Sequence, residues 1–232
     1  MAIQLSPSLV PSEHGARTLE ASVPTAPRWN YRQELKELYR AGRQPVRLTV
    51  PPREFLSVVG SGDPSADPSY GATVAALYQA AYGVRFAAKR AGLVESPVMP
   101  LEGLWWCEEP TPFALQDRSG WQWRMMIPLA PQLVGPQADA VIYAAIDTRR
   151  ERSVEVERFR LDEGDVVQVM HRGPWVEEST TLTVLHRHLA DNRLVAHGHH
   201  HEIYLSDPGR TAPARLRTIL RQPVVDRARG SH

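Results

Sequence analysis

The chain has 232 residues, 42% of them hydrophobic, with 27 Lys and Arg against 26 Asp and Glu for a formal net charge of +1. That is enough chain for one large domain or two small fused ones with a real core, and the balanced charge argues against a nonspecific nucleic-acid surface. The single cysteine, Cys107, cannot close an internal disulfide, no apolar run reaches membrane-spanning length and the N-terminus lacks the order of a signal peptide, so a reducing cytoplasmic setting without a membrane role is expected.

Residues 1–28 carry Pro7, Pro11, Pro24 and Pro27 without apolar periodicity and read as a loose extension; residues 227–232 read as a tail. Between them, residues 29–226 are taken as one domain. Asn30 with Gln33 suggests a helix cap, followed by Leu35, Leu38 and Tyr39 on one face. From Val46 to Gly60, β-branched runs are broken by Pro51-Pro52, which predicts two short strands or one bent edge strand. The glycines of the loop at Gly60 and Gly62 match neither the dinucleotide fingerprint nor the P-loop.

Asp67-Pro68 predicts a helix start, Gly92 its stop, and Val74, Leu77, Tyr78, Ala81 and Tyr82 its apolar stripe. Tyr82 and Phe86 are candidates to reach a ligand. Two tryptophan-rich strands come next, Leu101 to Cys107 and Trp121 to Pro128, forming a hairpin that holds four of the six tryptophans. Adjacent Trp105 and Trp106 put an indole on each face of one strand, a supply of flat apolar walls suited to stacking on an aromatic ligand. Cys107, flanked by Trp106 and Glu108, reads as packed rather than nucleophilic, because adjacent acids raise a thiol's pKa.

The second half repeats the plan. A helix follows Gly135-Pro136, strands lie around Val154 to Leu161 and Asp165 to His171, a helix carries Leu182, Leu185 and Leu189 on one stripe, and a histidine-rich strand follows. The repeats fall at about 46–130 and 131–224. Two β-α-β-β units predict an α+β fold with an antiparallel sheet, helices on one face and a ligand cleft on the other. Arg215, Arg217 and Arg221 are expected on a solvated face around Leu216, Ile219 and Leu220.

In the strand starting at His200, alternation sends Ile203 and Leu205 to one face and His200, Glu202 and Tyr204 to the other. A carboxylate and a phenol then share a face, with Glu202 as the base. His197, His199, His200 and His201 lack a second cluster with ligand spacing, so neither a metal nor another cofactor is implied. His171, before the Gly173-Pro174 turn, either reaches a cleft mouth or fixes the turn.

Five segments together resemble the GyrI-like small-molecule-binding family in its stand-alone branch. They are Val50-Pro51-Pro52 with the loop from Gly60 to Pro64, Met99 to Trp106, Trp123 to Ile127, Met170 to Trp175 with Glu177-Glu178, and His200 to Pro208 with Arg217 to Val224. The resemblance implies two modules related by a pseudo-twofold axis forming a curved antiparallel sheet, with Glu202 as the cleft glutamate and Tyr204 beside it. Trp105, Trp106 and Trp123 match its aromatic positions, while Trp175 stands where tyrosine is usual.

That branch is similar to cyclopropanoid cyclopropyl hydrolases, which open the cyclopropane of DNA-alkylating drugs of the yatakemycin and duocarmycin class and so give drug resistance. For such chemistry Glu202, its pKa raised by an apolar cleft yet still ionised near neutral pH, would deprotonate water. Tyr204, His171 or a tryptophan N–H would donate to the developing phenolate, and Trp105, Trp106, Trp123 and Trp175 would hold the drug. The alternatives are a non-catalytic drug-binding or sequestering protein, or less favourably a gyrase-modulating one. No DNA-binding helical pattern precedes residue 46, which disfavours the transcription-activator form.

Overall fold

The computed structural model describes residues 25–107, 120–147 and 154–227. In chain order these form α1 (Tyr31–Glu34), β1 (Val46–Val50), β2 (Arg53–Ser61), α2 (Tyr70–Arg90), β3 (Leu101–Cys107), β4 (Trp121–Pro128) and α3 (Pro136–Asp147), then β5 (Glu157–Leu161), β6 (Gly164–Arg172), α4 (Glu178–Asp191), β7 (Leu194–Ala196), β8 (His200–Tyr204) and β9 (Arg217–Asp226). Asn30 caps α1 through its side chain, as expected, but the helix lasts four residues. Helix α2 starts two residues beyond Pro68 and stops before Gly92, whose φ of +71° no side chain tolerates easily.

The strands form a nine-stranded sheet in the order β1-β6-β9-β8-β3-β4-β2-β5, with β7 added on β9. Its centre shows the repeat. β2-α2-β3-β4 and β6-α4-β8-β9 are equivalent units, and the order β6-β9-β8 followed by β3-β4-β2 reads the same from either end. The axis between them passes through the β3–β8 pair, where Gly103 is the register partner of Glu202. Each outermost strand belongs in sequence to the start of one half but pairs with the other: β1 lies on β6 and β5 on β2. Helix α3 has no counterpart; it lies on α2, with Gly83 facing Ala145.

Those edges force the sheet to curl. In a flat sheet β1 and β2 would be about 29 Å apart, six spacings of roughly 4.8 Å, yet Pro51-Pro52 alone joins them, spanning at most about 11 Å. Residues 162–163 make the same short link from β5 to β6. The two prolines therefore separate strands at opposite ends of the sheet, a placement that a local reading of the break does not contain.

One face carries the helices. Alternation along the strands puts Leu56, Val58, Trp105, Trp121, Trp123, Met125 and Ile127 there, packed with Leu77, Ala80, Ala81, Val84 and Ile142 of α2 and α3. On the other half Val167, Val169, Leu220 and Val224 meet Leu182, Leu185 and Leu189 of α4. Each fully buried Leu or Ile of these layers contributes about 1.5–3 kcal/mol by leaving water.

The helix-free face curls as expected, but it is filled. Residues from the segment after α1 lie across it, with Leu38 and Tyr39 packed on Val166, Ile203 and Ile219. Beneath them runs a chain of charges. His201 Nδ1 is 2.8 Å from Glu163 Oε1 and Nε2 is 2.9 Å from Glu102 Oε2, all three side chains being essentially inaccessible. Arg221 donates to Glu163 at 3.1 Å, to Gln168 and to the Leu38 carbonyl, while Tyr39 donates to Glu102 at 2.6 Å.

With a carboxylate against each ring nitrogen, His201 is an imidazolium. Burial opposes its charge, but Glu163 and Glu102 raise its pKa above 6.5. Burial likewise opposes ionised Glu163, yet His201 and Arg221 hold that carboxyl at about 2. Arg221, expected in solvent, is 1% exposed. The reason is the register of β9, which aims its guanidinium at Gln168 and Glu163 inside the curl.

Candidate functional site

Strand β8 is short, and its alternation is what the sequence predicts: Ile203 and His201 turn into the curl, while His200, Glu202 and Tyr204 turn to the helix face. Glu202 therefore sits on the face covered by helices, not on the helix-free one, over the central β3–β8 pair between α2 and α4. It is 8% exposed. Tyr204 Oη donates to Glu202 Oε2 at 2.8 Å and accepts from Trp105 Nε1 at 3.2 Å. The other carboxylate oxygen, Oε1, lies 3.6 Å from His200 Nε2.

Gly103 makes this contact possible. Tyr204 pairs with Leu101 and Trp105 with His200, so the two side chains reach each other only by leaning across the residue between. A Cβ on Gly103 would fall 2.5 Å from Met125 Cε, 2.9 Å from Trp105 Nε1 and 3.2 Å from Tyr204 Oη. The Met125 methyl can swing away; the indole cannot without leaving Tyr204. Gly103→Ala is expected to cost about 1 kcal/mol of stability and to shift tryptophan emission. Unchanged emission and melting would show that the Trp105–Tyr204 contact does not depend on the glycine.

Burial, then the charge of Glu202, push the Tyr204 phenol well above 10, with Tyr70 and Glu178 adding to the effect. Tyr204 thus stays protonated and keeps its proton pointed at Glu202. Burial and Glu202 also raise Tyr70, which stands edge-on to Trp123 with ring centroids 5.2 Å apart and reaches Met125 Sδ at 3.2 Å. Trp121 packs edge-on against Trp105.

Trp175 closes the other side, edge-on to Tyr204 at 5.8 Å, 41% exposed, its Nε1 donating to Thr218 at 3.2 Å. His171 is 3% exposed, with Nδ1 2.9 Å from Thr181 Oγ1 and Nε2 3.2 Å from the Pro174 carbonyl. A carbonyl only accepts, so Nε2 carries the hydrogen and Nδ1 accepts from Thr181. Nε2 is thereby committed to the Gly173-Pro174 turn, the second of the two roles open to the residue, and Nδ1 to Thr181 of α4.

Of the expected site residues, the fold brings together Glu202, Tyr204, Trp105, Trp123 and Trp175. Trp106 goes elsewhere: one step along β3 from Trp105, it faces away from Glu202 and stacks on His199 at 4.4 Å. Tyr82 and Phe86 stand farther along α2, 47% and 49% exposed. Tyr70, Gly103, Thr218 and Glu178 were not singled out from the sequence as site residues. Tyr70 had a signal, being four residues before Val74 and eight before Tyr78 on the helical stripe. Among the described residues no group of three or more His, Cys, Asp or Glu could hold a metal ion, and no helix is long and apolar enough to cross a membrane.

The sequence profile of the GyrI-like small molecule binding domain matches residues 43–224. The chain belongs to the GyrI-like family. Its fold is accordingly one that binds small molecules, and the GyrI-like match takes in β1 and every later strand, with β9 nearly complete. A solved structure from Listeria innocua, described as an uncharacterized conserved protein, is 34% identical with a TM-score of 0.74, covering 84% of this chain and 99% of its own. Another from Listeria innocua, described as a hydrolase, is 33% identical with a TM-score of 0.73, covering 84% and 98%. The EcmrR C-terminal domain shares the fold alone, at 12% identity and a TM-score of 0.51 over 79% of this chain and 98% of its own. None of the curated proteins compared matches the chain.

Proposed function

We propose that this GyrI-like domain binds flat aromatic drug-like molecules over β3 and β8 and hydrolyses the cyclopropane ring of DNA-alkylating cyclopropanoids of the yatakemycin and duocarmycin class, protecting the cell that makes it. The observation that carries the reading is the Glu202–Tyr204–Trp105 chain, a nearly buried carboxylate oriented by a phenol that is itself oriented by an indole. Hydrolase-described relatives from Listeria innocua at 33% and 32% identity support hydrolysis.

In the proposed reaction, the oxygen of a water attacks the strained methylene while Glu202 takes the water's proton. The breaking C–C bond sends its electron pair through the conjugated system to the carbonyl oxygen, which becomes a phenolate and takes a proton from solvent. Glu202 then loses its own proton to solvent, and the net change is addition of one water. Tyr204 holds one carboxylate oxygen, leaving the other toward the substrate, and is a positioning residue rather than the donor to the phenolate. Trp105, Trp123 and Trp175 align the ring system. Cytoplasmic residence fits this role.

Purified protein incubated with a cyclopropane-bearing drug is expected to raise the drug's mass by one water, at a rate above the buffer control. Binding without that mass gain would leave a sequestering protein, in which Glu202 matches a ligand's positive charge. No binding at all would remove the drug-directed reading.

A further inference from the structure

Between Asp67, just ahead of α2, and Arg85 in its last turns, the sequence has no charged residue. A helix without charges is normally buried on every side, yet Ala72, Ala75, Gln79, Tyr82, Phe86 and Arg90 are all exposed. At 100° per residue these six fall within about 80° of one another around the helix, so they form one row on its solvent side. Tyr70, edge-on to Trp123, lies about 160° from Phe86, on the inner side.

Tyr82 and Phe86 stack with ring centroids 6.2 Å apart and are about half exposed, apolar area that water wets unfavourably. The surface beside them is a shallow hollow of about 670 Å³ walled by Ala75, Tyr78, Gln79, Tyr82, Gly83 and Phe86. Every one belongs to α2, so among the described residues no second element closes it. A small molecule there would touch a single helix, whereas a ligand pocket encloses most of its ligand. A partner helix, which needs only a face, fits the hollow better.

The row is its own complement. Small Ala72 and Ala75 precede Gln79, and the large rings of Tyr82 and Phe86 follow it. A second α2 turned end over end about Gln79 would set its Phe86 on Ala72 and its Tyr82 on Ala75, at the axis separation of about 8–10 Å that packed helices keep. The ends match in charge as well. Asp67 of one copy would meet Arg90 of the other, whereas within one chain the two stand at opposite ends of the helix, roughly 34 Å apart. Lys89, next to Arg90, is already engaged by Glu95 at 2.6 Å.

We infer that this chain pairs with a second copy of itself through α2, the two helices antiparallel about a twofold axis beside Gln79. Such a contact uses the same patch on both copies and closes on itself. With one helix face per copy it is a small interface, and its dissociation constant is expected in the micromolar range. The row points away from Trp123, so pairing leaves the Glu202 site as described.

Sedimentation of the full chain reads the pairing. The wild type is expected to pass from monomer to dimer as its concentration rises to about 100 µM, and Tyr82→Ser/Phe86→Ser to dimerise at least about thirtyfold more weakly. A wild type that stays monomeric, or a dimer that the double variant leaves unchanged, would overturn the inference. The charges test the direction. Arg90→Asp is expected to weaken the dimer about tenfold, since two ion pairs are lost per dimer, and Asp67→Arg in the same chain to restore it; no restoration would overturn the antiparallel register. Tyr82, Phe86 and Arg90 are exposed, so melting near that of dilute wild type is expected. If a variant melts early, Gln79→Cys in a Cys107→Ser background decides instead: oxidation should link two chains at the axis, and failure to link them would overturn the pairing.

Discussion

Glu202→Gln is expected to bind the drug about as well as the wild type while opening its cyclopropane some 10²–10⁴-fold more slowly, the usual worth of a positioned general base. The change keeps size and shape, and the amide oxygen can still accept from Tyr204, so the Tyr204–Trp105 arrangement survives. What disappears is the capacity to take a proton from water. Turnover followed by the mass gain of the drug, with affinity followed by fluorescence, separates the two effects. Turnover close to wild type would remove Glu202 as the base. A large loss of affinity with little change in the rate of bound drug would mean that its charge serves binding only.

The second large effect is on stability. His201→Leu removes the positive member between two carboxylates that water cannot reach. Leaving buried charges without their partner costs about 3–5 kcal/mol, which urea unfolding reads as a lower midpoint. The pH dependence carries its own signature. The folded-state pKa of His201 is raised, so its contribution is complete below the ordinary imidazole value of 6.5 and fades as the pH rises through the folded value. Glu163 is shifted the other way: its contribution is complete above 4.5 and is lost as the pH falls toward about 2. The network therefore stabilises most between about 4.5 and 6.5, and wild-type stability should decline on the alkaline side. The leucine variant should lack that alkaline decline. Equal stability of the two proteins across the window would show that the ion chain is energetically idle.

These two residues are neighbours in sequence, yet only one was legible there. Period-two alternation sends Glu202 and Tyr204 to one face and His201 to the other, and for Glu202 the sequence supplies the rest: a carboxylate with aromatic strands nearby. His201 looked like one of a run of histidines because its network comes from four distant places: Glu102 and Glu163 against its ring, and Tyr39 and Arg221 holding those two carboxylates. Nothing local marks Glu163, which enters the curl only because a two-residue link joins opposite ends of the sheet. The same blindness to register placed Arg221 in solvent. Trp106 was grouped with the ligand residues although its neighbour Trp105 occupies the other face of the strand, and alternation lets only one of the two share a face with Glu202.

The fold repeats itself about an axis through β3 and β8, but at that axis a glutamate faces a glycine. A slot with twofold shape would accept any flat molecule in two opposed poses with equal ease, and half of all encounters would present the wrong end. One carboxylate stands on one side of the axis, and on the other Trp105, Tyr204 and Met125 crowd over its glycine partner, so the two ends of such a slot would be unlike. The duplication supplies the frame, and the unlike Glu202–Gly103 pair breaks its symmetry at the axis itself.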